Sequence, residues 1–538
     1  MRQFLVNVDA FIQGLLQEWG TPGGVSVAVG YGVAKLQDGT NFTADTRLSI
    51  GSNSKLFTIV STGLLISNES VTPRISWDTK IGSVIPEWDL MDSYASEKAS
   101  ITDLMNHRTG LPRHDFMYRR NDTLQSMTFQ YNNIMYAFLG HLPEALSTNA
   151  TLARYVKEHV FSPLGLNATT YSFDVANASG QFADGVCREN LDTTAGLPGI
   201  GTLRALPYWF GEDSGEDGHF MAGAGGVISN ANDMAVWLQT LLLWGKNPQT
   251  GEQVIPEAVL RKVASGVTVC DSAIVGPAAS QSVMSPVVYG GGQLSGSYRG
   301  HVFIEHGGDV PGGHSRLTRL PFDNIGVAVL TNDDDFGLVF NDIIKYRLID
   351  EALGLEPYDW NAVTFLGLGS APHTNSPQLS NVSAPTFEFA ELAGTYNNPG
   401  YGNWTFCIIA PNEEPPASCR ELVTNATILL PGAINSSVPT LLARPNAVSF
   451  EYLRLTHHDG NKFDIAGIFS YPTDNPEQPF WARVLTVSGL VAEFANADDG
   501  IGIGLATNGG FWGAGSNVPD PTGDSVEQRA EVWFRQIQ

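Results

Sequence analysis

Strand-like segments lie near both ends of the N-terminal two thirds of this chain, and helical segments fill the region between them. Residues 24–34 form an apolar run bracketed by glycines, and strand patterns return only from Val287 onwards. Residues 121–245 have mostly helical spacing, with a long predicted loop at 174–220. Strands that are far apart in sequence can still bury their apolar faces by pairing with one another. The pattern therefore predicts one sheet assembled from both ends of this region, with a helical insertion.

The late strands follow one another closely, which is typical of an antiparallel meander. The predicted strands and the turns between them are Gly300–Glu305, Gly307-Gly308, Gly312-Gly313, Ser315–Leu320, residues 321–324 and Gly326–Leu330. Helical patterns precede and follow the sheet at residues 4–19 and 338–353. We therefore expect an α/β (α+β) fold, in which an antiparallel sheet is flanked by helices.

A stretch rich in Ser, Pro, Asn and Thr separates this region from the rest of the chain. It covers residues 367–385, and its composition is typical of a linker. Residues 386–538 contain short strands between Gly, Pro and Asn turns, with little helical periodicity. The prediction is thus an α/β domain at 1–366 and a small all-β domain, a barrel or a sandwich, at 386–538.

Composition limits the partners that such a chain can have. Apolar residues make up 43% and charged residues 16% of the 538 residues, as in a globular protein, and the formal net charge is −25. Such a charge disfavours nucleic acid and anionic membrane surfaces, and the sequence contains no run of 18 apolar residues. We therefore expect a small-molecule substrate and no nucleic-acid or membrane partner. The oligomeric state is left open.

The compartment is predicted from sequons. Ten occur, roughly twice the number expected by chance at this Ser and Thr content; they are at Asn41, Asn68, Asn121, Asn149, Asn167, Asn177, Asn381, Asn403, Asn425 and Asn435. Together with few lysines and an even number of cysteines, they favour a secreted glycoprotein. The N-terminal segment has helical periodicity rather than the unbroken apolar core of a signal peptide, so we expect that a signal peptide is missing from this sequence.

The four cysteines allow one specific pairing hypothesis. Cys407 and Cys419 bracket a Pro-rich loop, and we predict a local disulfide between them. A second pair, Cys187 with Cys270, has no such support from spacing. The alternative is that all four are buried thiols.

Ser52 and Lys55 are the first candidate catalytic residues. A strand-like stretch leads into Gly51, and the apolar segment 56–68 behind it is long enough for a helix of about three turns. Ser52 thus lies near a helix N-terminus, where free N–H groups favour negative charge, with Lys55 one turn along on the same face. A lysine in the neutral form can take the proton of a serine hydroxyl and make it a nucleophile. Ser-x-x-Lys alone is a common pattern on protein surfaces.

Two further motifs follow Ser52 in a specific order. Tyr131-Asn132-Asn133 begins 79 residues after Ser52, at the start of a predicted helix. His306-Gly307-Gly308-Asp309 begins 175 residues after Tyr131, at the predicted end of a strand. Each motif is commonplace by itself, as a helix entry or as a strand-end turn. All three motifs in this order are much less common.

On these residues the chain resembles the class C β-lactamase family, the penicillin-recognising serine hydrolases of the peptidase S12 type. The family motifs S-x-x-K, Y-x-N and H/K-x-G are present as Ser52–Lys55, Tyr131–Asn133 and His306–Gly308. Flanking patterns agree at His107–Pro112, Ala224–Val227 and Pro311–Gly313. The resemblance covers about residues 8–355. Leu392–Gly402 is also similar to the opening of the lipocalin-like barrel that some members carry.

The resemblance implies a catalytic role for each motif. Ser52 would be acylated, and Lys55 and Tyr131 would share the base role, with Tyr131 also protonating the leaving group. Asn133 would hold either the substrate amide or Lys55. His306 and Gly308 would line the substrate site, and the N–H groups of Ser52 and Asp309 would form the oxyanion hole.

The chain departs from the β-lactamases in two places. His306 stands where they carry lysine, and a largely neutral imidazole suits a substrate carboxylate less well than a permanent cation does. That favours esters, lactones or neutral amides over β-lactams. In addition, Gly24–Ala34 lacks the hairpin tip that the family has between its first two strands.

The aromatic run Tyr208–Phe210 has two equally weighted interpretations: it lines the acyl pocket, or it packs its loop onto the domain. The chain has neither G-x-S-x-G nor H-E-x-x-H. We therefore expect a serine hydrolase that needs no metal or cofactor. The alternatives are an acyltransferase with the same acyl-enzyme, and a non-catalytic penicillin-binding-like scaffold.

Overall fold

The chain folds into two units, each of which is made from two separate stretches of the sequence. The computed structural model describes residues 2–27, 29–90, 93–110, 112–117, 131–146, 150–193, 199–210, 215–269, 283–369, 382–409, 415–435, 440–513 and 519–537. The first unit comprises Met1–Thr109 and Asn133–Pro372, and the second comprises Gly110–Asn132 and His373–Gln538. The sequence pattern did not predict that Gly110–Asn132 belongs with the C-terminal unit.

The first unit combines thirteen helices and thirteen strands among its described residues. The helices are α1 Arg2–Glu18, α2 Ser54–Ser67, α3 Ser93–Lys98, α4 Ile101–Met105, α5 Asn133–Ala145, α6 Leu152–Val156, α7 Ser162–Leu164, α8 Phe173–Ala178, α9 Ala222–Gly225, α10 Ala231–Leu242, α11 Glu257–Val263, α12 Gly337–Leu353 and α13 Trp360–Gly369. The strands are β1 Gly24–Ser26, β2 Gly30–Lys35, β3 Thr40–Asn41, β4 Leu48–Ser49, β5 Gly185–Asp192, β6 Ile200–Leu206, β7 Ile228–Ser229, β8 Thr268–Val269, β9 Val288–Gly290, β10 Gln293–Tyr298, β11 His301–Val310, β12 Gly313–Leu320 and β13 Ile325–Thr331.

Nine of these strands form one antiparallel sheet in the order β3-β2-β1-β13-β12-β11-β10-β9-β8. The early strand β1 pairs with the late strand β13, with Val25 opposite Thr331. This confirms the prediction of a sheet assembled from both ends of the region. The helices α2 to α11 come between β4 and β8 in sequence, so the helical insertion is also confirmed, although β5–β7 interrupt it.

Three local predictions were wrong. Gly24–Ala34 is a tight hairpin rather than one strand, because β1 turns back at Val27, whose N–H donates to the carbonyl O of Val29 (3.1 Å). Valines do not signal a turn, so the apolar pattern hid it. The predicted loop 174–220 contains the β5–β6 hairpin. Its polar strand residues form ion pairs, such as Arg204 with Glu189, instead of alternating with apolar ones.

The third error concerns Gly307-Gly308, which we predicted as a turn. Both residues lie inside β11, which continues to Val310 and pairs with β12 along this whole stretch. A pair of glycines usually marks a turn, but a strand can also need glycine where another backbone approaches closely. At Gly308 another backbone does approach closely, and the geometry is described with the site below.

The end of α1 packs against the start of α12 through aromatic side chains. Trp19 at the end of α1 is fully buried, and its ring meets those of Phe336 and Phe340 edge-to-face at 5.2 and 5.4 Å. Helix α2 is different, since it is buried on almost every side rather than along one stripe. A helix that is apolar all round lies inside the protein. Residues at its start are therefore held by neighbours on several sides.

The second unit is a closed barrel of eight antiparallel strands, as the sequence predicted. Its strands and two short helices are β14 Gly394–Asn398, β15 Gly402–Ile409, β16 Thr440–Ala443, β17 Tyr452–Asp459, β18 Lys462–Pro472, β19 Phe480–Asn496, β20 Ile503–Asn508, β21 Val532–Ile537, α14 Phe389–Leu392 and α15 Arg420–Leu429. Alternate residues such as Trp404 and Phe406 point inward and are buried. An eight-stranded barrel is just wide enough for its side chains to fill, and aromatic rings fill this one.

Part of Gly110–Asn132 packs into the same barrel core. Phe116 contacts the rings of Phe450 and Phe511 at centroid distances of 5.7 and 5.0 Å. The side chain of His114 lies 2.7 Å from the hydroxyl of Tyr401. These contacts explain why the segment belongs with the second unit.

The predicted disulfide between Cys407 and Cys419 is present, and its Cα atoms are 5.5 Å apart. The weaker hypothesis, Cys187 with Cys270, involves a residue outside the described part of the chain. Within that part, none of the helices has the length and apolar character needed to cross a bilayer.

Candidate active site

Ser52 lies in a single 3₁₀ turn, Gly51–Asn53, immediately before α2. It is partly exposed, whereas its neighbours in the turn are buried. Gly51 has φ +50°, and a Cβ on it would lie 2.7 Å from the amide nitrogen of Asp309. Both observations require glycine at position 51. The turn therefore presents Ser52 to solvent while it rests against the end of β11.

Lys55 is fully buried, and its ammonium group has three close partners. Nζ lies 2.9 Å from Ser52 Oγ, 2.7 Å from Asn133 Oδ1 and 2.9 Å from the carbonyl O of Ala224. The partners come from α5 and α9 as well as from the nucleophile turn, and all three are uncharged. The structure thus brings Ser52, Lys55 and Asn133 together, although 78 residues separate Lys55 from Asn133.

Asn133 is the first residue of α5 and contacts Lys55, which was one of the two roles predicted for it. The carbonyl of Ala224 is a partner that sequence analysis missed. It belongs to the four-residue helix α9, whose last carbonyls have no partners within the helix itself. A backbone acceptor leaves no signature in side-chain identity, so only the surrounding Ala224–Val227 pattern pointed to this position.

Tyr131 precedes Asn133 by two residues and belongs to the second unit. Its half-buried ring has the guanidinium carbon of Arg113, from the same unit, 5.3 Å from the ring centre. A cation over the face of an aromatic ring is a favourable arrangement. The role of Tyr131 toward Ser52 stays a prediction.

Gly308 is where β11 approaches the nucleophile turn most closely. A Cβ at this position would lie 1.8 Å from the carbonyl O of Ile50 and 2.4 Å from Ser315 Oγ. Neither backbone can move without displacing the other, so only glycine fits. This explains the final residue of the H-x-G motif, the glycine at position 308 in the middle of the strand. It also places the Asp309 amide next to the turn that carries Ser52, as a two-amide oxyanion hole requires.

His306 is buried just before Gly308. Burial is the main cause that lowers its pKa to about 3; positive charge on Lys55 and, more weakly, on Arg316 acts in the same direction, and the hydrogen bond to the Gly307 carbonyl opposes it. The imidazole is therefore neutral at physiological pH. Its Nδ1 lies 2.6 Å from the carbonyl O of Gly307, and its Nε2 lies 3.4 Å from the hydroxyl of Tyr289. Tyr289 was not a predicted site residue.

The aromatic run divides between its two predicted roles. Tyr208 and Phe210 are buried and pack their loop onto the unit. Trp209 is half-buried, and a Cβ placed on Gly225 would lie 3.9 Å from its Cζ2 and 3.8 Å from the carbonyl carbon of Gly51. Trp209 is thus within reach of the nucleophile turn, and its contact with substrate stays a prediction.

The fold and this arrangement of residues define the class of the protein. A sheet built from both ends of the chain, with Ser-x-x-Lys opening a buried helix of the insertion, is the architecture expected of β-lactamase-type proteins. A sequence model of the Beta-lactamase family matches residues 15–350, which are 336 of the 538 residues. The chain belongs to this family of hydrolases.

Named relatives and one solved structure agree with that assignment. The chain is 27% identical over 436 residues to the unguisins hydrolase ungD′ of Aspergillus campestris, covering 72% of this chain and 75% of that protein. It is 23% identical over 372 residues to the N-acetylmuramyl-L-alanine amidase of Bacillus subtilis, covering 58% and 77%. The octameric penicillin-binding protein homologue from Pyrococcus abyssi has the same fold, with a TM-score of 0.53 and 16% identity over 94% of this chain and 98% of that one.

Replacing Gly308 with alanine tests the close approach of β11 to the nucleophile turn. We expect Gly308→Ala to lower the free energy of unfolding of the first unit by about 1–3 kcal/mol, because the extra carbon overpacks two rigid backbones. Modification of Ser52 by a serine-directed probe should slow as well. Denaturant titration and probe labelling measure the two effects.

Gly307→Ala is the matched control. Its Cβ would meet Arg316 Nη1 at a distance below normal contact, but that atom ends a flexible side chain and can move aside. We expect a smaller loss of stability than for Gly308→Ala. Equal losses in the two variants would contradict a backbone clash specific to position 308.

Proposed function

We propose that the protein is a serine hydrolase that cleaves an uncharged ester, lactone or amide through an acyl-enzyme on Ser52. The contact of Lys55 Nζ with Ser52 Oγ, at 2.9 Å, is the observation that carries this proposal. A lysine at this distance from a serine hydroxyl in a buried site is placed to act as its base. Family membership and the hydrolase names of the relatives support it.

The hydrogen bonds of Lys55 are compatible with the neutral amine that this role needs. The Ala224 carbonyl can only accept a hydrogen bond, and Asn133 Oδ1 likewise only accepts. A neutral amine has two N–H groups, one for each of these acceptors, and one lone pair. The lone pair of that neutral form can accept the hydroxyl proton of Ser52, which lies 2.9 Å away.

The chemistry then follows in two halves. Ser52 Oγ forms a bond to the substrate carbonyl carbon while its proton passes to Lys55, and the oxyanion is held by the N–H groups of Ser52 and Asp309. The bond to the leaving group breaks, and the proton taken from Ser52 reaches the leaving group by way of Tyr131, which ends the step protonated. Water then attacks the acyl-enzyme, gives up a proton through the same residues, and releases the acid and free Ser52.

The preference for uncharged substrates rests on His306. Where β-lactamases carry a cationic lysine, this site has an imidazole whose pKa burial lowers to about 3. Arg316, the guanidinium nearby, is paired with the carboxylate of Asp342 at 2.8 Å. One relative is named as an amidase, which favours an amide among the possible bonds.

Replacing the two central residues tests the acyl-enzyme. Ser52→Ala should abolish labelling by a fluorophosphonate probe, located by peptide mass spectrometry. Lys55→Arg keeps a positive charge but cannot become neutral at working pH. We expect it to lower the acylation rate by roughly 10²–10⁴, the loss typical for a positioned general base.

Circular dichroism and thermal melting serve as controls, because both variants should remain folded. Labelling at a serine other than Ser52 would contradict the proposal. So would undiminished labelling of Lys55→Arg. Acyl transfer is separated from hydrolysis by adding a competing alcohol and asking whether ester or acid is the main product.

A matched pair of substrates tests the charge preference. One compound is a thioester whose leaving group carries a carboxylate, and the other is the methyl ester of the same compound. We expect kcat/KM to be at least about tenfold higher for the neutral compound, since a charge that loses its hydrogen-bonded partner costs 1.5–3 kcal/mol. His306→Lys should move this ratio toward the charged compound. His306→Gln, which stays neutral, should leave the ratio unchanged even if both rates fall.

We also propose that the protein is a secreted glycoprotein. The Cys407–Cys419 disulfide favours an oxidising compartment. Six sequon asparagines are exposed among those described, which are Asn41, Asn68, Asn167, Asn177, Asn403 and Asn435. Protein purified from a eukaryotic host should lose mass on treatment with a peptide N-glycosidase. An unchanged mass would count against the proposal.

A further inference from the structure

The hydroxyl of Tyr289 lies between two histidine rings, one of which is that of the site residue His306. Its hydroxyl lies 3.4 Å from His306 Nε2 and 3.1 Å from His107 Nε2. The rings of His107 and Tyr289 also pack together, with centroids 4.8 Å apart. His107 belongs to the His107–Pro112 pattern, for which the proposed mechanism has no use. Tyr289 and His306 are buried, and His107 is half-buried.

The hydrogen-bond partners of His306 and Tyr289 indicate which atom donates in each of these contacts. The Gly307 carbonyl can only accept, so His306 must donate its Nδ1–H to it at 2.6 Å. A neutral imidazole protonated at Nδ1 has a lone pair at Nε2, so the Tyr289 hydroxyl donates to Nε2. The oxygen of Tyr289 then accepts from His107, which must carry its proton on Nε2. Along these three contacts each group donates once, from His107 to Tyr289, from Tyr289 to His306 and from His306 to the Gly307 carbonyl.

The peptide that His306 holds is fixed from its other side as well. With the Asn53 carboxamide oriented so that its oxygen accepts from Ser315 Oγ, its nitrogen donates to the carbonyl O of His306 at 3.0 Å. The same carboxamide accepts from the N–H of Gly308 at 3.3 Å. The Gly307–Gly308 peptide thus has its carbonyl bound by an imidazole and its N–H bound by Asn53. The next N–H along the strand is that of Asp309.

We propose that Tyr289 and His107 are positioning residues, which hold the imidazole of His306 in the orientation and tautomer that bind the Gly307 carbonyl and so fix the peptide leading to the Asp309 amide. The proposal rests on the function proposed above, in which that amide stabilises the oxyanion. In this arrangement His306 acts through the strand backbone, and its contact with Tyr289 sets which of its nitrogens carries the proton.

A histidine is suited to this task for a chemical reason. A neutral imidazole can donate at one nitrogen and accept at the other, so it can link a hydroxyl to a carbonyl. Burial keeps it in that form, because a buried imidazolium would lose the hydration that stabilises its charge. The hydrogen bonds are also stronger in a buried site than they would be in water.

Nitrogen NMR on the enzyme without substrate tests the hydrogen bonds among His107, Tyr289 and His306, and it does not rely on catalysis. In protein labelled with ¹⁵N-histidine at neutral pH, the signal lost in His306→Gln identifies the His306 ring. We expect Nδ1 to be protonated and Nε2 to be an acceptor. In Tyr289→Phe the Nε2 resonance should shift, because that nitrogen loses its donor. A protonated Nε2 in the wild type, or an unchanged Nε2 resonance in Tyr289→Phe, would overturn the proposal.

Kinetics with a neutral ester then test the consequence for the reaction. Tyr289→Phe should lower kcat roughly 10- to 100-fold with little change in KM, as expected when a group that meets only the transition state is misplaced. His107→Gln retains an N–H donor and should be close to the wild type, whereas His107→Leu should resemble Tyr289→Phe. A merely structural role would not distinguish the two His107 variants.

The double variant His107→Leu/Tyr289→Phe completes the test. If His107 and Tyr289 act through the same series of hydrogen bonds, the double variant should lose little more kcat than either single variant. Multiplied effects, or a change confined to KM, would overturn the positioning role. If the wild type has no esterase activity but the NMR result holds, the proposed function fails while the hydrogen-bonded chain stands.

Discussion

The close approach of Gly308 to the carbonyl O of Ile50 is the constraint on which the rest of the site depends. It joins the middle of a sheet strand to the turn that opens the buried helix α2, although more than 250 residues lie between them. Two backbones can come this near only where no side chain intervenes. Once they do, the amide of Asp309 and the hydroxyl of Ser52 share one small region, and neither can move alone.

Burial of polar groups then sets the chemistry of that region. Lys55 is enclosed among uncharged acceptors, and His306 is enclosed between a hydroxyl and a carbonyl. A buried polar group is costly unless each of its donors and acceptors is satisfied. The partners that contact Lys55 Nζ and the His306 ring are uncharged. The neutral imidazole of His306 is what connects the packing of the first unit to its proposed specificity.

The second unit obeys a different physical rule. Its eight strands close on themselves and leave no sheet edge, and alternate side chains fill the interior with aromatic rings. Phe116 and Met117 from Gly110–Asn132 pack against the same core. Closure and burial of these apolar side chains account for the stability of the barrel without any bound molecule.

Residue identity and periodicity determined the antiparallel sheet built from both ends, the buried helix after Ser52, the C-terminal barrel and the Cys407–Cys419 pair. These features follow from local patterns, because apolar spacing, turn residues and cysteine separation act over short stretches of chain. The motif order also indicated Ser52 and Lys55 as a pair, since residues three apart on a helix are neighbours.

Tertiary structure alone decided which distant groups meet. The glycine pair of β11 resembled a turn because local sequence does not record the backbone of Ile50, which lies close against Gly308. The Ala224 carbonyl beside Lys55 carries no side-chain signal, and His107, Tyr289 and His306 are brought together only by packing. Contacts also assigned Gly110–Asn132 to the barrel unit. All of these depend on long-range proximity, which periodicity and composition do not encode.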